Sequence, residues 1–251
     1  MRILNNNMKI TFKTKQYSTI ATGIDLLDQV LLGGFRKGCV IHFYGDPGAG
    51  KTTFAMQIIV NIIKQGWRAI WVDCNGAFSI SRFKTLLNDQ KNLSSLIYVR
   101  PSSFQNQTQI LQQLQYHLDR IGIIVVDPIT HFYRVERFRE GNQGFFHELI
   151  TKQLSTLTGI AHLQKIPIIV INYGTINKNK RAVPLVEKGF ERIERYRFYF
   201  KNVQNTDNIS HKELIIVRAP ETFTQGRVLS YTIGLKGIEG VQLVRKQGVV
   251  V

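Results

Sequence analysis

Acidic side chains are scarce: 17 Asp and Glu stand against 33 Lys and Arg, which leaves a formal charge of +16. That excess departs from the near-balance of a housekeeping metabolic enzyme and makes polyanions the expected partners, although the total alone fits a solvated surface in a basic proteome equally well. Long hydrophobic runs are missing too. No stretch reaches the roughly 18 apolar residues a membrane helix needs, because Asn61 and Lys64 interrupt the longest. The start, MRILNNNMKITFKTKQ, is basic but lacks the apolar stretch and small-residue cleavage site of a secretory signal, so a cytoplasmic protein with no membrane partner is expected. Cysteine is nearly absent. Cys39 and Cys74 both lie in apolar, strand-like surroundings and read as small buried hydrophobes rather than a disulfide or a metal pair. With no internal repeat, low-complexity linker or second domain, the expected organisation is a basic segment over 1–18 and a single domain over 19–251.

What is present alternates. Short β-branched runs at Cys39 to Tyr44, Ala69 to Asp73, Leu96 to Val99, Ile123 to Asp127 and Ile168 to Asn172 are apolar on both faces, as strands covered by helices on either side must be. Helical patterns separate them, at Lys51 to Gln65, Ser79 to Asn88, Phe104 to Arg120 and Phe145 to Leu163, each with a capping serine or a terminating glycine where one is called for. After Val183 the period shortens to alternation, at Arg195 to Asn202, Glu213 to Arg218, Leu229 to Leu235 and Val241 to Arg245. The expected fold is therefore α/β, with a mostly parallel central sheet flanked by helices and an antiparallel C-terminal extension.

The strongest chemical signal is GDPGAGKT, which matches G-x-x-x-x-G-K-[ST] between a predicted strand and a predicted helix. Phosphates need a concave ring of backbone N–H groups, and Gly45, Gly48 and Gly50 let the chain curl without a clashing Cβ. Asp46, Pro47 and Ala49 complete the loop, Lys51 reaches the outer phosphates, Thr52 offers its hydroxyl to Mg²⁺, and Thr53 follows on the first helical turn. ATP and Mg²⁺ are the ligands this loop implies. The run GIIVVD ends on Asp127, about 75 residues later, and would deliver a carboxylate to the same sheet edge to hold the metal through water.

With these elements placed, TGIDLLDQVLLGGFRKGCVIHFYGDPGAGKT, Thr22 to Thr52, resembles the opening of the archaeal RadB and RadA branch of the RecA family. WVDCNGAFSISRF from Trp71, VVDPITHFYRVE from Val125 and the segment Glu213 to Gly240 extend the likeness over nearly the whole chain, and without a helical DNA-binding domain ahead of the core it is nearer to RadB. The resemblance implies that Arg82 stacks on the adenine, although a surface arginine in a first helical turn fits that position equally well. It implies that His131, Tyr133, Arg134, Arg137 and Arg139 lie in a first DNA-contacting loop, and that Gly174 to Gly189, with Lys178, Lys180 and Arg181, forms a second. Such flexible basic loops suit single-stranded DNA. Phe132, Tyr133 and Tyr173 can stack on bases or lid the core. A RadA-type recombinase is the protein partner the resemblance implies.

Three positions depart from the family pattern. Asn75 stands where the family carries its catalytic glutamate, Tyr173 follows the sensor residue Asn172 where glutamine is usual, and the string FKTK from Phe12 puts lysine where the protomer-linking motif has alanine. Two functions follow as alternatives: a nucleotide-controlled DNA-binding accessory of homologous recombination and repair with weak or absent hydrolysis, or an active ATPase, DNA-stimulated or signalling in the manner of clock proteins. Asn75 favours the first, and the basic segments argue against pure signalling. A small-molecule kinase is disfavoured because the chain runs into an antiparallel extension instead of an arginine-bearing lid.

Overall fold

A computed structural model describes residues 18–137, 143–179, 181–203, 211–221 and 224–244. The chain enters through a short pair of strands, β1 (Thr19–Ile20) and β2 (Phe35–Arg36), with helix α1 (Asp25–Val30) between them. The parallel core follows as β3 (Val40–Gly45), α2 (Lys51–Lys64), β4 (Arg68–Asp73), α3 (Ile80–Leu87), β5 (Leu96–Val99), α4 (Phe104–Gln113) and β6 (Ile121–Asp127). Next come α5 (His131–Glu136), α6 (Gln143–Gln164) and β7 (Ile168–Ile171), then a hairpin of β8 (Gly174–Ile176) and β9 (Ala182–Pro184), and α7 (Glu187–Glu191). The chain closes with β10 (Glu194–Val203), β11 (His211–Arg218), β12 (Val228–Gly234) and β13 (Gly237–Val244).

Nine strands form one sheet in the order β13-β12-β11-β10-β3-β7-β6-β4-β5. From β10 to β5 neighbouring strands are parallel, and β10 to β13 pair antiparallel, as the sequence pattern predicts. Both faces are dry. In β4 and β6 the residues Ala69, Trp71, Ile123 and Val125 point into one core with α2 and α3, while Ile70, Val72, Ile124 and Val126 point into a second core with α4 and α6. Cys39 and Cys74 are buried and unpaired, in keeping with a packing role.

Two helices, α3 and α4, begin at serine caps. Ser79 Oγ accepts the Arg82 amide at 3.2 Å, and Ser103 Oγ accepts the Asn106 amide at 3.1 Å. The fourth predicted helix is shorter than its pattern suggests. It ends at Gln113, passes through a 3₁₀ turn at Leu114–Tyr116, and reaches β6 through Arg120 in the left-handed region, because the chain must reverse before Ile121. The described parts of the segments read as flexible loops form α5 and the β8–β9 hairpin with α7, and Phe132, Tyr133 and Val186 pack on the second core. Of the residues assigned to those loops, Arg139 and Lys180 lie outside the described residues, as does nearly all of the basic segment 1–18.

Candidate functional site

Strand β3 and helix α2 meet at the loop Gly45–Gly50, at the C-terminal edge of the parallel strands. Gly45 has φ +132°, and a Cβ there would lie 2.0 Å from the Phe200 carbonyl oxygen, so only glycine lets the loop leave the sheet beside β10. The loop is clamped from outside. Asp46 accepts the Asn202 amide at 2.9 Å, the Asn202 side-chain amide donates to the Pro47 carbonyl at 2.9 Å, and Tyr231 donates to the Ala49 carbonyl at 2.7 Å. The antiparallel extension thus fixes the phosphate loop, and Asp46 serves that clamp. Ala49 is fully buried, and Thr53 is half-buried in the first turn of α2.

Inside the loop, Lys51 Nζ donates to the carbonyls of Gly45 at 2.9 Å and Asp46 at 2.7 Å. Burial lowers its ammonium to about 8, against the opposing pull of Asp127 and Asp46. Thr52 Oγ1 donates to Asp127 Oδ2 at 2.6 Å, which joins the helix start to the end of β6 across the intervening tip of β7. Asp127 is 7% exposed, and burial pushes its carboxyl up to about 6 in spite of the Thr52 hydrogen bond. A hydroxyl and a carboxylate at this separation are the oxygen donors a hard divalent cation takes, and such a cation would favour the ionised carboxylate. The residues therefore fit Mg²⁺ with a nucleotide phosphate chain.

A cleft of about 400 Å³ opens over these groups, and Asn75, Arg134, Arg137, Asn172 and Tyr173 line it together with Lys51, Thr52 and Asp127. Arg134 and Arg137, assigned from sequence to a DNA loop, thus stand on the cleft wall because α5 turns back over the β6 end. The Arg134 guanidinium lies 5.0 Å from the centroid of the Tyr173 ring, and the Tyr173 hydroxyl approaches both His131 Nδ1, at 3.3 Å, and the Asn75 side chain. Asn75 also accepts the Ala77 amide at 3.1 Å. Asp73 is committed elsewhere. Its buried carboxylate accepts the amides of Gly76 at 2.9 Å, Ala77 at 3.2 Å and Phe78 at 3.1 Å, and the Tyr98 hydroxyl at 2.8 Å.

Asn172 faces inward. Its amide nitrogen donates to the Leu185 carbonyl at 2.7 Å and approaches His42 Nε2 at 3.3 Å, while its oxygen accepts from Thr130. His42 in turn donates through Nδ1 to Glu194 at 2.6 Å, and Arg197 pairs with the same carboxylate. Sequence reasoning missed this buried chain behind the cleft, though a histidine inside the apolar strand VIHFYG was a signal for it. Burial lowers the affinity of the imidazole for a second proton, against the pull of Glu194. His42 and Arg197 hold Glu194 below the usual carboxylate range against the cost of burial.

The remaining site expectations scatter. Arg82 donates to the Gly234 carbonyl at the β12–β13 turn and is not on the cleft wall. Lys178 and Arg181 are exposed at the tip of the β8–β9 hairpin, where Asn177 Oδ1 accepts the amides of Asn179 at 3.0 Å and Arg181 at 2.9 Å. The hairpin is rooted on the phosphate loop. A Cβ on Gly174 would lie 3.1 Å from Gly45 Cα, and Leu185 donates its amide to the Tyr173 carbonyl at 3.1 Å.

Comparison with known proteins agrees with this architecture. A Rad51 family model matches residues 13–188. The DNA repair and recombination protein RadB of Pyrococcus abyssi is 30% identical over 237 residues, covering 89% of this chain and 94% of that protein. RadB of Thermococcus kodakarensis is 36% identical over 159 residues, covering 61% of this chain and 69% of that protein. A crystal structure of the RadB recombinase superposes with a TM-score of 0.73 at 28% identity, over 89% of this chain and all of that one. No helix among the described residues is long and apolar enough to cross a membrane. From the fold, the phosphate loop paired with the β6 carboxylate and these relatives together, the chain belongs to the RadB-type branch of the Rad51 family of RecA-superfamily proteins.

Proposed function

We propose that this chain is a DNA-binding accessory of homologous recombination that holds ATP with Mg²⁺ and hydrolyses it slowly. Gly45 to Thr53 would wrap the phosphates, Lys51 would exchange its two carbonyl partners for phosphate oxygens, and Thr52 and Asp127 would hold the metal. Bound Mg²⁺ would supply the positive charge that screens the phosphate chain.

One observation carries the slow-hydrolysis reading: Asn75, where the resemblance implies a catalytic glutamate, lines the cleft as a neutral amide, and Asp73 at the end of β4 is saturated by three amides and a hydroxyl. A neutral amide can orient a water but cannot take its proton at pH 7. The contact of Gly174 with Gly45 supports nucleotide acting as a conformational ligand, since a shift of the phosphate loop reaches the hairpin bearing Lys178 and Arg181. Those two exposed cations are the DNA contacts we assign on this side, whereas Arg134 and Arg137 would serve the phosphate end of the cleft. A RadA-type recombinase is the partner this role requires. Arg82, held through one N–H by the Gly234 carbonyl, still has a guanidinium face to offer an adenine, which mutation to Ala would test through base selectivity.

A second reading, an active DNA-stimulated ATPase, is favoured by one feature: Arg134 and Arg137 beside Lys51 can neutralise charge that develops on a transferred phosphoryl group. ATP turnover measured with and without single-stranded DNA, alongside ATP affinity, separates the two.

A further inference from the structure

A wide cavity lies at the opposite end of the sheet from the phosphate loop. It is an open groove of about 1110 Å³, and its described lining includes Arg36, Lys37, Arg120, Lys165 and Arg195 but no aspartate or glutamate. Topology gathers these cations. Arg120 directly precedes β6, Lys165 leads into β7, Lys37 into β3, and Arg195 is the second residue of β10, so all sit at the N-terminal ends of parallel strands. Five neighbouring strands, from β10 to β4, span roughly 19 Å at the usual strand spacing, which is wider than a single phosphate group needs.

The charges are available. Arg36 is paired with Glu221, but among the described residues Lys37, Arg120, Lys165 and Arg195 are all exposed and have no carboxylate within ion-pairing distance. Arg120 and Lys165 also hold φ of +56° and +54°, a left-handed conformation in which glycine or asparagine would be less strained. The chain carries long cationic side chains at both turns all the same. Ser18 lines the groove, and the sequence before it holds Arg2, Lys9, Lys13 and Lys15 and no acidic residue.

At the β4 end stands Trp67, 47% exposed, beside Gly122, where a Cβ would come within 2.8 Å of the Trp67 Cβ. An exposed indole beside a row of cations can take the face of an unpaired base, a face that a duplex hides within its own stack. We propose that this groove is a second nucleic-acid site, for single-stranded DNA, with Lys37, Arg120, Lys165 and Arg195 along the phosphates and Trp67 against a base. The ligand class rests on the DNA-binding reading above, while the location does not.

Tryptophan fluorescence of the full chain, titrated with oligo(dT) without added nucleotide, tests this directly. Trp71 is fully buried, so quenching should arise from Trp67 and vanish in Trp67→Phe. A variant combining Lys37→Gln, Arg120→Asn, Lys165→Asn and Arg195→Gln changes only exposed side chains, and should lower the slope of log K against log salt by about 3. Emission unmoved by oligo(dT), quenching by duplex alone, or an unchanged slope in the fourfold variant would overturn the proposal. Loss of binding in Lys178→Gln with Arg181→Gln, but not in the groove variant, would reject the groove and keep the hairpin reading, and the opposite pattern would do the reverse.

Discussion

Arg134 lies over the ring of Tyr173 at 5.0 Å, which ties helix α5 to the second residue after β7. Both residues line the cleft with Asn75 and Lys51. A cation on a tyrosine face is held in place yet keeps its charge, so it can meet an added phosphate. Arg134→Gln should therefore weaken ATP binding about tenfold more than ADP binding, roughly 1.4 kcal/mol, as isothermal titration would record. Equal losses for both nucleotides would place Arg134 away from the terminal phosphate.

The phosphate loop itself gives the broadest expectation. Lys51→Ala and Thr52→Val should each raise the Kd for ATP in the presence of Mg²⁺, the first by removing the cation and the second by removing the hydroxyl now bonded to Asp127. Wild-type affinity in Lys51→Ala, measured by fluorescent-nucleotide titration, would end the assignment of the site.

Asp127 makes a prediction on stability. Its folded pKa, about 6, stands above the ordinary value of 3.8, so the stability this group contributes is fully present below about pH 4 and is lost as pH rises through 6. Asp127→Asn keeps an acceptor for Thr52 and removes the buried charge. In metal-free buffer near neutral pH, urea unfolding should find the variant more stable by about 3 kcal/mol, with the difference gone near pH 4. The same substitution should abolish the Mg²⁺ dependence of nucleotide binding. Equal stability at neutral pH would show that the carboxylate carries no burial penalty.

Glu194 has the opposite sign. Its pKa is held below the ordinary value of 4.5, so its contribution is present above that pH and is lost as pH falls through the depressed folded value. Glu194→Gln leaves Arg197 buried with only the more exposed Glu187 and Glu191 nearby, and should cost about 3 kcal/mol at neutral pH by chemical denaturation. A loss under about 0.5 kcal/mol would mean those glutamates suffice.

Much of this was legible in the sequence because the fold is written in period. Runs such as GIIVVD and VIHFYG are apolar on both faces and could only be covered strands, and the shift to alternation after Val183 marked the antiparallel half. Gly45, Lys51, Thr52 and Asp127 were readable because phosphate and metal chemistry restrict each position to few residue types. That Arg134 and Arg137 line the cleft was not readable, since their place there depends on the turn of α5, which no residue type records. Asn172 lines the cleft as expected, and its amide is bonded to Thr130, Leu185 and His42, partners that are 42, 13 and 130 residues away. No local pattern records contacts of that range. The basic groove escaped for the same reason, because Lys37, Arg120, Lys165 and Arg195 become neighbours only when the strands align.

The hairpin supplies a test of DNA contact. Lys178 and Arg181 are exposed at its tip, so replacing both by glutamine should lower the salt slope of single-strand binding by about 1.4, with little dependence on base sequence. Fluorescence anisotropy at several salt concentrations would measure it, and an unchanged slope would remove the hairpin from the interface.

The proposed function turns on Asn75, a neutral amide lining the cleft where the resemblance implies a catalytic glutamate. Steady-state ATP turnover, with and without single-stranded DNA, should stay below about one per minute in the natural sequence, since general-base assistance is typically worth 10²- to 10⁴-fold. In Asn75→Glu it should rise on the order of 10²-fold with ATP affinity little changed. Brisk DNA-stimulated turnover by the natural sequence, or no gain in Asn75→Glu despite intact binding, would contradict the account.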